Sequence, residues 1–195
     1  MNSSDLISNL IEFGWHTEDN FLTTTHCHEL IKDQKHWKSA AIGTGAKKAL
    51  HQEIRNDEIA WISAEEASKA QKKFLLLMDL LQVHLNRELY LGLKEFECHF
   101  AKYEKGGFYK KHLDQHQGSK NRILSCIVYL NKLNNGGELV IYNKNNIESV
   151  DKIIQPKPGK LVCFLSDQIF HEVLPTDEER LSLTGWFRAN SSLIL

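Results

Sequence analysis

The sequence predicts an α+β fold in which helices of the N-terminal half buttress a C-terminal β-sandwich or jelly roll. Apolar residues recur at three- and four-residue intervals up to Leu89, and at every second position after Gly92. Short strand-like runs then follow at regular spacing, separated by turn signals such as the Asn-Asn-Gly-Gly of residues 134–137. A length of 195 residues is enough for one well-buried domain and short for two.

Composition and charge restrict the possible function classes. A formal net charge of −1 argues against nucleic-acid binding, which usually needs a basic field. The N-terminus lacks a basic start followed by an apolar core, so no signal peptide is predicted. No apolar run approaches the length needed to span a membrane. We therefore expect a cytoplasmic protein.

Three helices are predicted before Gly92. Apolar residues at helical spacing indicate short helices at 4–13 and 23–37. Ser63 followed by Glu66 is a capping-box pattern, which predicts the start of a longer helix. The apolar stripe of that helix predicts its core-facing side and consists of Phe74, Leu77, Met78, Leu81, Leu85 and Leu89.

Residues 39–58, between the second and third predicted helices, show little periodicity. They contain two glycines and mixed charge, which indicates a loop or ribbon. Loops of this length inside compact domains often act as lids over functional sites. A solvated connector is an equally good interpretation from the residues alone.

The C-terminal half alternates with the period of two that extended strands require. Seven runs are predicted as strands: 96–103, 123–130, 138–142, 152–155, 160–165, 171–173 and 181–187. Turns are predicted at 106–107, 134–137 and 156–159. The sequence contains no glycine-rich phosphate loop and no internal repeat, so the picture is one domain.

The cysteines lie apart from one another and form no C-x-x-C pair: Cys27, Cys98, Cys126 and Cys163. Three of them fall in apolar strand-like runs, which predicts buried, reduced thiols and not disulfides. The neighbouring His26, Cys27 and His28 could bind a metal. However, a single local cluster on an amphipathic helix is usually structural.

The chemistry of the C-terminal half rests on two histidines and an aspartate. His112 and Asp114 lie two positions apart, and an extended strand would turn both side chains to one face. His171, from a distant strand, would complete the 2-His-1-carboxylate face that holds non-haem Fe(II). The H-x-D pair alone is weak evidence, because ten histidines make a chance pairing easy. His116 would share that side if the strand continued, but residues 117–119 indicate a turn, so we interpret His116 as a loop residue.

Arg180 begins a strand-like run nine residues after His171. Alternation divides this run into two faces, one with Arg180, Ser182, Thr184 and Trp186 and the other with Leu181, Leu183 and Phe187. The polar face is either the solvent side or the wall of a site, and the residues leave both open. In the second case the leucine face packs against the N-terminal helices, and the buried guanidinium needs a partner. A dicarboxylic cosubstrate would supply it through the bidentate fork that arginine offers.

Together these features resemble a known enzyme family. The matching segments are H-L-D at 112, CIVYLN at 126, GGELVIY at 136, FHEVLP at 170 and RLSLTGWF at 180. From Phe96 to Arg188 the chain is similar to the 2-oxoglutarate- and Fe(II)-dependent dioxygenases of the prolyl 4-hydroxylase class, and particularly to the bacterial relatives of the hypoxia-inducible-factor prolyl hydroxylases. The resemblance implies a double-stranded β-helix (jelly-roll) core at 93–190, with the N-terminal helices and a substrate-covering ribbon of 1–92 packed in the same domain.

The resemblance also implies how a metal and a cosubstrate are held. Fe(II) would be bound by three side chains: His112, Asp114 and His171. The far carboxylate of 2-oxoglutarate would pair with Arg180 and accept a hydrogen bond from the Tyr129 hydroxyl. The other residues assigned to this pocket are Tyr103, Thr184 and Trp186. O2 would be the second cosubstrate and ascorbate the reductant.

For the substrate, the resemblance implies a prolyl residue in an exposed protein loop, hydroxylated at C4. Arg55 and Asp57 match a pair in the ribbon that rearranges when substrate binds. The bacterial members make elongation factor Tu the candidate partner. The chain departs from the animal enzymes between Asp114 and Arg122 and at the turn of 131–137, so their substrate choice does not carry over.

Three other functions stay open at this point. The first is a dioxygenase of the same architecture that acts on another side chain or on a small molecule. The second is a nucleic-acid demethylase, against which the lack of a basic composition counts. The third is a catalytically silent jelly roll that serves as a binding module.

Overall fold

The computed structural model of the chain describes residues 3–41, 51–115 and 121–189. Within them the helices are α1 (Ser3–Glu12), α2 (Thr24–Lys32) and α3 (Lys69–Leu89). The first six strands are β1 (Trp15–Glu18), β2 (Lys38–Ser39), β3 (Glu58–Trp61), β4 (Glu95–Tyr103), β5 (Tyr109–His112) and β6 (Arg122–Tyr129). The remaining strands are β7 (Leu139–Asn143), β8 (Asn146–Ile154), β9 (Leu161–Leu165), β10 (His171–Val173) and β11 (Arg180–Arg188).

The strands form two antiparallel sheets. The larger sheet has the order β1-β9-β6-β11-β4-β3-β2, and the smaller one has the order β5-β10-β7-β8. Apart from the consecutive pairs β2–β3, β3–β4 and β7–β8, neighbouring strands come from distant parts of the chain, as expected when strands alternate between the two layers of a jelly roll. The predicted α+β class, with helices buttressing a jelly roll, is confirmed.

Two cores hold these layers together. One lies between the helices and the outer face of the large sheet, and it includes the leucine face of β11. Leu181, Leu183 and Phe187 are buried there, which confirms that this face packs toward the N-terminal helices. The second core lies between the two sheets, where Ile127 and Phe164 of the large sheet join Ile141 of the small one.

Helix α3 has the predicted core-facing stripe but a different start. Phe74, Met78, Leu81 and Leu85 are buried, and Leu77 and Leu89 are partly buried against the same core. The capping box predicted at Ser63 and Glu66 is wrong. The Ser68 hydroxyl accepts a hydrogen bond from the Gln71 backbone N–H, and the Gln71 side chain accepts one from the Ser68 N–H. Two patterns of the same type follow each other here, and the second adjoins Ala70, the first buried residue of the helix.

The remaining boundaries differ in detail from the sequence predictions. Helix α2 ends at Lys32, five residues before the predicted end, because Asp33 caps it with its backbone N–H on Leu30. The strands β1, β2 and β3, of two to four residues each, were not predicted. Strand β8 begins at Asn146, six residues before the run predicted at 152–155. Strand β3 lies at the end of the predicted ribbon and pairs with β2 and β4. Residues 42–50 of that ribbon, and His116 with the turn predicted at 117–119, lie outside the described residues.

The cysteine prediction is confirmed, because Cys27, Cys98, Cys126 and Cys163 are all free and buried. The His26-Cys27-His28 cluster does not converge on one point. The His26 imidazole Nε2 lies 2.9 Å from the Ala70 carbonyl oxygen inside the core, whereas His28 is exposed. In the part of the chain that the structure describes, no helix combines the length and apolar character that a membrane crossing requires.

Candidate active site

A cavity of about 280 Å³ lies between the two sheets. Strands β4, β6 and β11 of the large sheet contribute one wall, and β5 and β10 of the small sheet contribute the opposite wall. Residues from the end of the predicted ribbon close one side. The cavity is lined by ionisable side chains of both signs, which is unusual for a space between two packed sheets.

His112, Asp114 and His171 converge on the small-sheet side of this cavity. One ligand atom from each residue lies within 4.8 Å of the others, the only such group found among the described residues. His112 ends β5 and lies directly opposite His171 of β10, which explains how residues 59 positions apart in the chain meet. The strand does not continue to Asp114, as the alternation argument assumed. Asp114 lies in a bend beyond β5, where the Ser125 hydroxyl donates a hydrogen bond of 2.7 Å to its carboxylate.

The hydrogen bonds of the two histidines fix which nitrogen faces the aspartate. His112 Nδ1 lies 2.7 Å from the Lys110 carbonyl oxygen, and His171 Nδ1 lies 3.1 Å from that of Ile169. A carbonyl oxygen only accepts, so Nδ1 carries the proton in both rings and the Nε2 lone pair is free. The two Nε2 atoms lie 3.5 and 3.7 Å from the carboxylate oxygens of Asp114.

The charges of this group suit a divalent cation. Burial and the neighbouring His112 lower the pKa of His171 to about 4, so its imidazole is neutral at pH 7. Burial alone would raise the pKa of Asp114. The adjacent imidazoles and the hydrogen bond from Ser125 outweigh burial and keep that pKa well below its usual value. Two imidazoles and one carboxylate are the donor set that non-haem iron sites use.

Arg180 is buried at the other end of the cavity. Its side chain is 1% exposed, and its Nε donates a hydrogen bond of 3.0 Å to the Gly137 carbonyl. The guanidinium carbon lies 5.0 Å from the ring centroids of both Tyr103 and Tyr129. Arg180 Nη2 and the Tyr129 hydroxyl are buried and have no hydrogen-bond partner within the described ranges. Since buried polar groups are rarely left unpaired, this pair of donors indicates a place for an anionic group.

Gly137 makes room for that arginine. Its φ of +69° lies in the left-handed region that favours glycine. A Cβ atom at this position would lie 2.7 Å from Leu133 Cδ1 and 3.1 Å from Arg180 Cδ. The Gly-Gly turn therefore lets the backbone approach the guanidinium closely enough to accept its hydrogen bond.

The other residues predicted for the pocket also lie in the cavity wall. Tyr103 lies opposite Arg180 across β4 and β11, and Thr184 and Trp186 follow on the same face of β11. Trp186 Nε1 is buried and, like Tyr129, has no partner in the described part of the chain. Alternation along β11 is thus observed, with Arg180 inside the protein and not on its solvent side.

Arg55 and Asp57 form an ion pair at the edge of the same cavity. Arg55 Nε and Nη2 donate hydrogen bonds of 2.7 and 2.5 Å to the two carboxylate oxygens of Asp57. Asp57 is 1% exposed, so this carboxylate is removed from solvent together with its partner. Both residues line the cavity, which brings the predicted ribbon pair next to the histidine and aspartate cluster.

Sequence reasoning missed several residues of the cavity wall, notably Trp61, His99 and Tyr109. His99 could have been found, because it lies four positions before Tyr103 on the same strand and therefore on the same face. Its ring is 3% exposed and lies 4.9 Å from Trp61 and 5.5 Å from Trp186, measured between centroids. Trp61 follows the ribbon residues Arg55 and Asp57 in a four-residue strand, which is too short for alternation to show the face it occupies.

The part of the chain that forms most of the cavity wall also matches a known protein family. The sequence profile of the 2OG-Fe(II) oxygenase superfamily matches residues 98–188. A crystal structure of a Pseudomonas putida prolyl-4-hydroxylase has 35% sequence identity and a TM-score of 0.83, with 98% of this chain and 100% of that chain covered. The chain belongs to the 2OG-Fe(II) oxygenase superfamily.

Two further relatives are also prolyl hydroxylases. A Trichoplax adhaerens prolyl hydroxylase, in complex with a hypoxia-inducible-factor peptide fragment, is 27% identical with a TM-score of 0.80, over 96% of this chain and 89% of that one. A Caenorhabditis elegans hypoxia-inducible factor prolyl hydroxylase is 27% identical over 206 residues, covering 95% of this chain. The chain spans 28% of the length of that curated relative. All three of these relatives are prolyl hydroxylases, and membership of the 2OG-Fe(II) oxygenase superfamily implies Fe(II) and 2-oxoglutarate.

Proposed function

We propose that this oxygenase hydroxylates C4 of a prolyl residue in an exposed loop of a protein substrate. The observation that carries the proposal is the convergence of His112, Asp114 and His171 in one cavity with the unpartnered guanidinium of Arg180. The similarity to a prolyl-4-hydroxylase over the full length of that chain supports proline as the target. The relative in complex with a peptide fragment supports a protein substrate.

In this proposal Fe(II) is held by His112 Nε2, His171 Nε2 and a carboxylate oxygen of Asp114. The residues fit the ion because both imidazoles are oriented through Nδ1 by backbone carbonyls, an arrangement typical of metal-binding histidines. Ser125 holds the carboxylate in place. Three protein ligands on one face leave coordination positions for the cosubstrates. When bound, the iron supplies the activation of O2.

We assign the far carboxylate of 2-oxoglutarate to Arg180 and Tyr129. Arg180 Nη2 and the Tyr129 hydroxyl are two buried donors without partners in the described chain, and a carboxylate has the two acceptors that they need. Tyr103 covers one side of the guanidinium, and Thr184 and Trp186 continue the wall toward the metal side. In the overall reaction one atom of O2 enters the substrate C–H bond and the other enters succinate, with release of CO2.

Arg55 and Asp57 are assigned to substrate binding, together with Trp61, which lines the same cavity. Their ion pair lies at the edge of the cavity, where the ribbon meets the metal side, and Trp61 is 52% exposed. An exposed indole beside the cavity gives a flat apolar surface on which a proline ring could pack. The chain's own contribution to the reaction is to orient this ring, to exclude water and to hold the ligands.

The test is mass spectrometry of proteins from a cell extract after incubation with the enzyme, Fe(II), 2-oxoglutarate and ascorbate. We expect a mass gain of one oxygen on a prolyl residue. The Asp114→Ala variant is the control and should produce no such gain. Succinate formation without any gain on protein would contradict a protein substrate and favour a small molecule. Loss of methyl groups from a methylated oligonucleotide would instead indicate a demethylase.

Elongation factor Tu is the partner that we propose to test first, on the resemblance to bacterial members of the class. Purified elongation factor Tu is incubated under the same conditions, and we expect one added oxygen on a loop proline. An unmodified elongation factor Tu, in a preparation that still hydroxylates another extract protein, would reject this partner and leave the prolyl hydroxylase activity intact.

A further inference from the structure

The two proposed histidine ligands are held in unequal ways. His171 lies in β10, an inner strand of the small sheet, is 3% exposed, and packs its ring 4.4 Å from that of Phe164. His112 ends β5, which is an edge strand of the same sheet, and its side chain is 15% exposed. One hydrogen bond through Nδ1 restrains the direction of an imidazole but not its tilt. His112 therefore needs a second contact to hold its ring plane.

Tyr109 supplies that contact. Its ring is stacked on the His112 imidazole, with centroids 3.5 Å apart and planes inclined by 16°. Residues three apart on a regular strand would face opposite sides of the sheet. Here Tyr109 pairs with Val173 and His112 with His171, so three steps along β5 match two steps along β10. The extra residue is a β-bulge, which turns both rings to the cavity face.

The other face of the tyrosine ring is covered by Arg55. The guanidinium carbon lies 4.2 Å from the ring centroid, and the imidazole at 3.5 Å already occupies the opposite face. Asp57 fixes this guanidinium through two hydrogen bonds. The two segments are also joined through their backbones, because Lys110 N–H donates to the Ile54 carbonyl over 2.9 Å. The order of contact is thus Asp57, Arg55, Tyr109 and His112.

We propose that Tyr109 is a positioning residue for the iron ligand His112, and that the Arg55–Asp57 ion pair acts on the metal site through it. The inference rests on the proposed role of His112 and assigns no contact between Tyr109 and the metal. It makes metal affinity sensitive to an ion pair that lies in the substrate ribbon. By linkage, a change in the ribbon that releases Arg55 would weaken metal binding, and metal binding would favour the intact pair.

Cobalt(II) titration of the metal-free protein tests the positioning role directly. Co(II) accepts the same nitrogen and oxygen donors, and its visible absorption reports the ligand geometry. We expect Tyr109→Leu to weaken Co(II) binding about 3- to 10-fold, as loss of one aromatic contact implies, and to shift the absorption bands. Tyr109→Phe retains the stacked ring and should bind Co(II) within about twofold of the unaltered protein.

A double-mutant cycle tests whether the Arg55–Asp57 ion pair acts on His112 through Tyr109. Asp57→Asn should weaken Co(II) binding in the unaltered protein, although Asp57 does not reach the metal ligands. In the Tyr109→Leu background the same substitution should have no further effect, because the route to His112 is already lost. Equal effects of Asp57→Asn on Co(II) affinity in both backgrounds would show that the ion pair acts without Tyr109. That result would contradict this half of the proposal.

Tyr142→Leu is the matched control. Tyr142 belongs to the same small sheet and also carries a cation over its ring, with Lys111 Nζ at 3.9 Å from the centroid. It should leave Co(II) affinity and absorption unchanged. If it weakens Co(II) binding as much as Tyr109→Leu does, the effect is loss of the sheet and the proposal fails. Unaltered Co(II) binding by Tyr109→Leu would also reject it, and neither result depends on whether any protein is hydroxylated.

Discussion

At the scale of single residues, the cavity is defined by charged groups that the protein itself leaves incompletely paired. Arg180 combines burial with an Nη2 that has no acceptor in the described residues, which a folded chain tolerates only when something else provides the acceptor. The Asp57 carboxylate, by contrast, already has two hydrogen bonds and a cation from Arg55 in place. The unpaired Arg180 Nη2 therefore indicates a ligand-binding group, whereas the fully paired Asp57 indicates a residue that stabilises the structure of the site.

Arg180→Ala should therefore affect 2-oxoglutarate binding first. We expect the dissociation constant for 2-oxoglutarate to increase roughly 10- to 100-fold, the loss associated with charge-assisted hydrogen bonds. Arg180→Lys should restore little of it, because an ammonium cannot reproduce the planar fork. The measurement is calorimetric titration with 2-oxoglutarate in the presence of Mn(II). Arg87, an exposed arginine paired with Glu88, is the control, and normal affinity in Arg180→Ala would remove Arg180 from the site.

The buried histidines predict how stability depends on pH. Burial lowers the pKa of His99 to about 4, from 6.5 for an unperturbed histidine. Between these two values the unfolded chain binds the proton and the folded chain does not, so unfolding becomes easier as the pH falls through this window. Above pH 6.5 both forms are neutral and the contribution is constant. The shift corresponds to a loss of about 3 kcal/mol for this one group.

His99→Met should reduce that dependence. We expect the free energy of unfolding in urea, measured on the metal-free protein, to fall less steeply between pH 6.5 and 4 in this variant than in the unaltered chain. His28→Ala, a change at an exposed histidine, should retain the original slope. A slope that is the same in all three proteins would show that His99 takes up its proton without unfolding.

Residues of the site could be predicted from the sequence when a chemical reason fixed both their type and their spacing. His112, Asp114, His171 and Arg180 met this condition, and the structure brings all four to one cavity. Tyr109 did not, because its position against His112 depends on a bulge, and a bulge breaks the alternation on which the reading of a strand relies. Its contact with a proposed metal ligand is visible only in three dimensions.

At the scale of secondary-structure elements, the start of α3 shows how local patterns compete. Ser63–Glu66 and Ser68–Gln71 both fit the capping-box motif, and only the second forms it. The Ser68 hydroxyl also donates a short hydrogen bond to Asp33, at the end of α2. The helix thus begins where capping and tertiary contact agree, which single-sequence reading of the motif does not reveal.

Exchange of each serine for alanine separates the two positions. Ser68→Ala should lower the stability by about 1 kcal/mol through loss of the N-cap, which corresponds to about 2–4 °C in the melting temperature. Ser63→Ala is the matched control and should change stability by less than about 0.5 kcal/mol. Thermal unfolding followed by circular dichroism measures both. Equal melting temperatures for the two variants would mean that the Ser68 cap contributes nothing.

At the scale of the whole molecule, the sequence predicted two layers but not their pairing. The alternating runs identified β4, β6 and β11 as strands, whereas nothing in them specified that β11 lies between the other two. That order comes from contacts between distant residues, which a pattern of period two cannot encode. It also decides the function, because it places Arg180 and Thr184 of β11 in the wall facing His112 and His171.

The molecule as a whole should be more stable when the cavity is filled. Any ligand that binds only the folded state adds RT ln(1 + [L]/Kd), about 2.7 kcal/mol at a concentration of 100 times Kd. Mn(II), an analogue of Fe(II) that is stable in air, together with 2-oxoglutarate should raise the melting temperature by about 5–10 °C. Ca(II), which prefers six or more oxygen ligands, should not replace it at a site with two imidazoles. The increase in melting temperature depends on both ends of the cavity. His112→Ala should therefore remove the increase caused by Mn(II), and Arg180→Ala should remove most of the increase caused by 2-oxoglutarate. A stabilisation by Mn(II) that persists in His112→Ala and Asp114→Ala would place the metal elsewhere and would separate the cavity from the chemistry proposed for it.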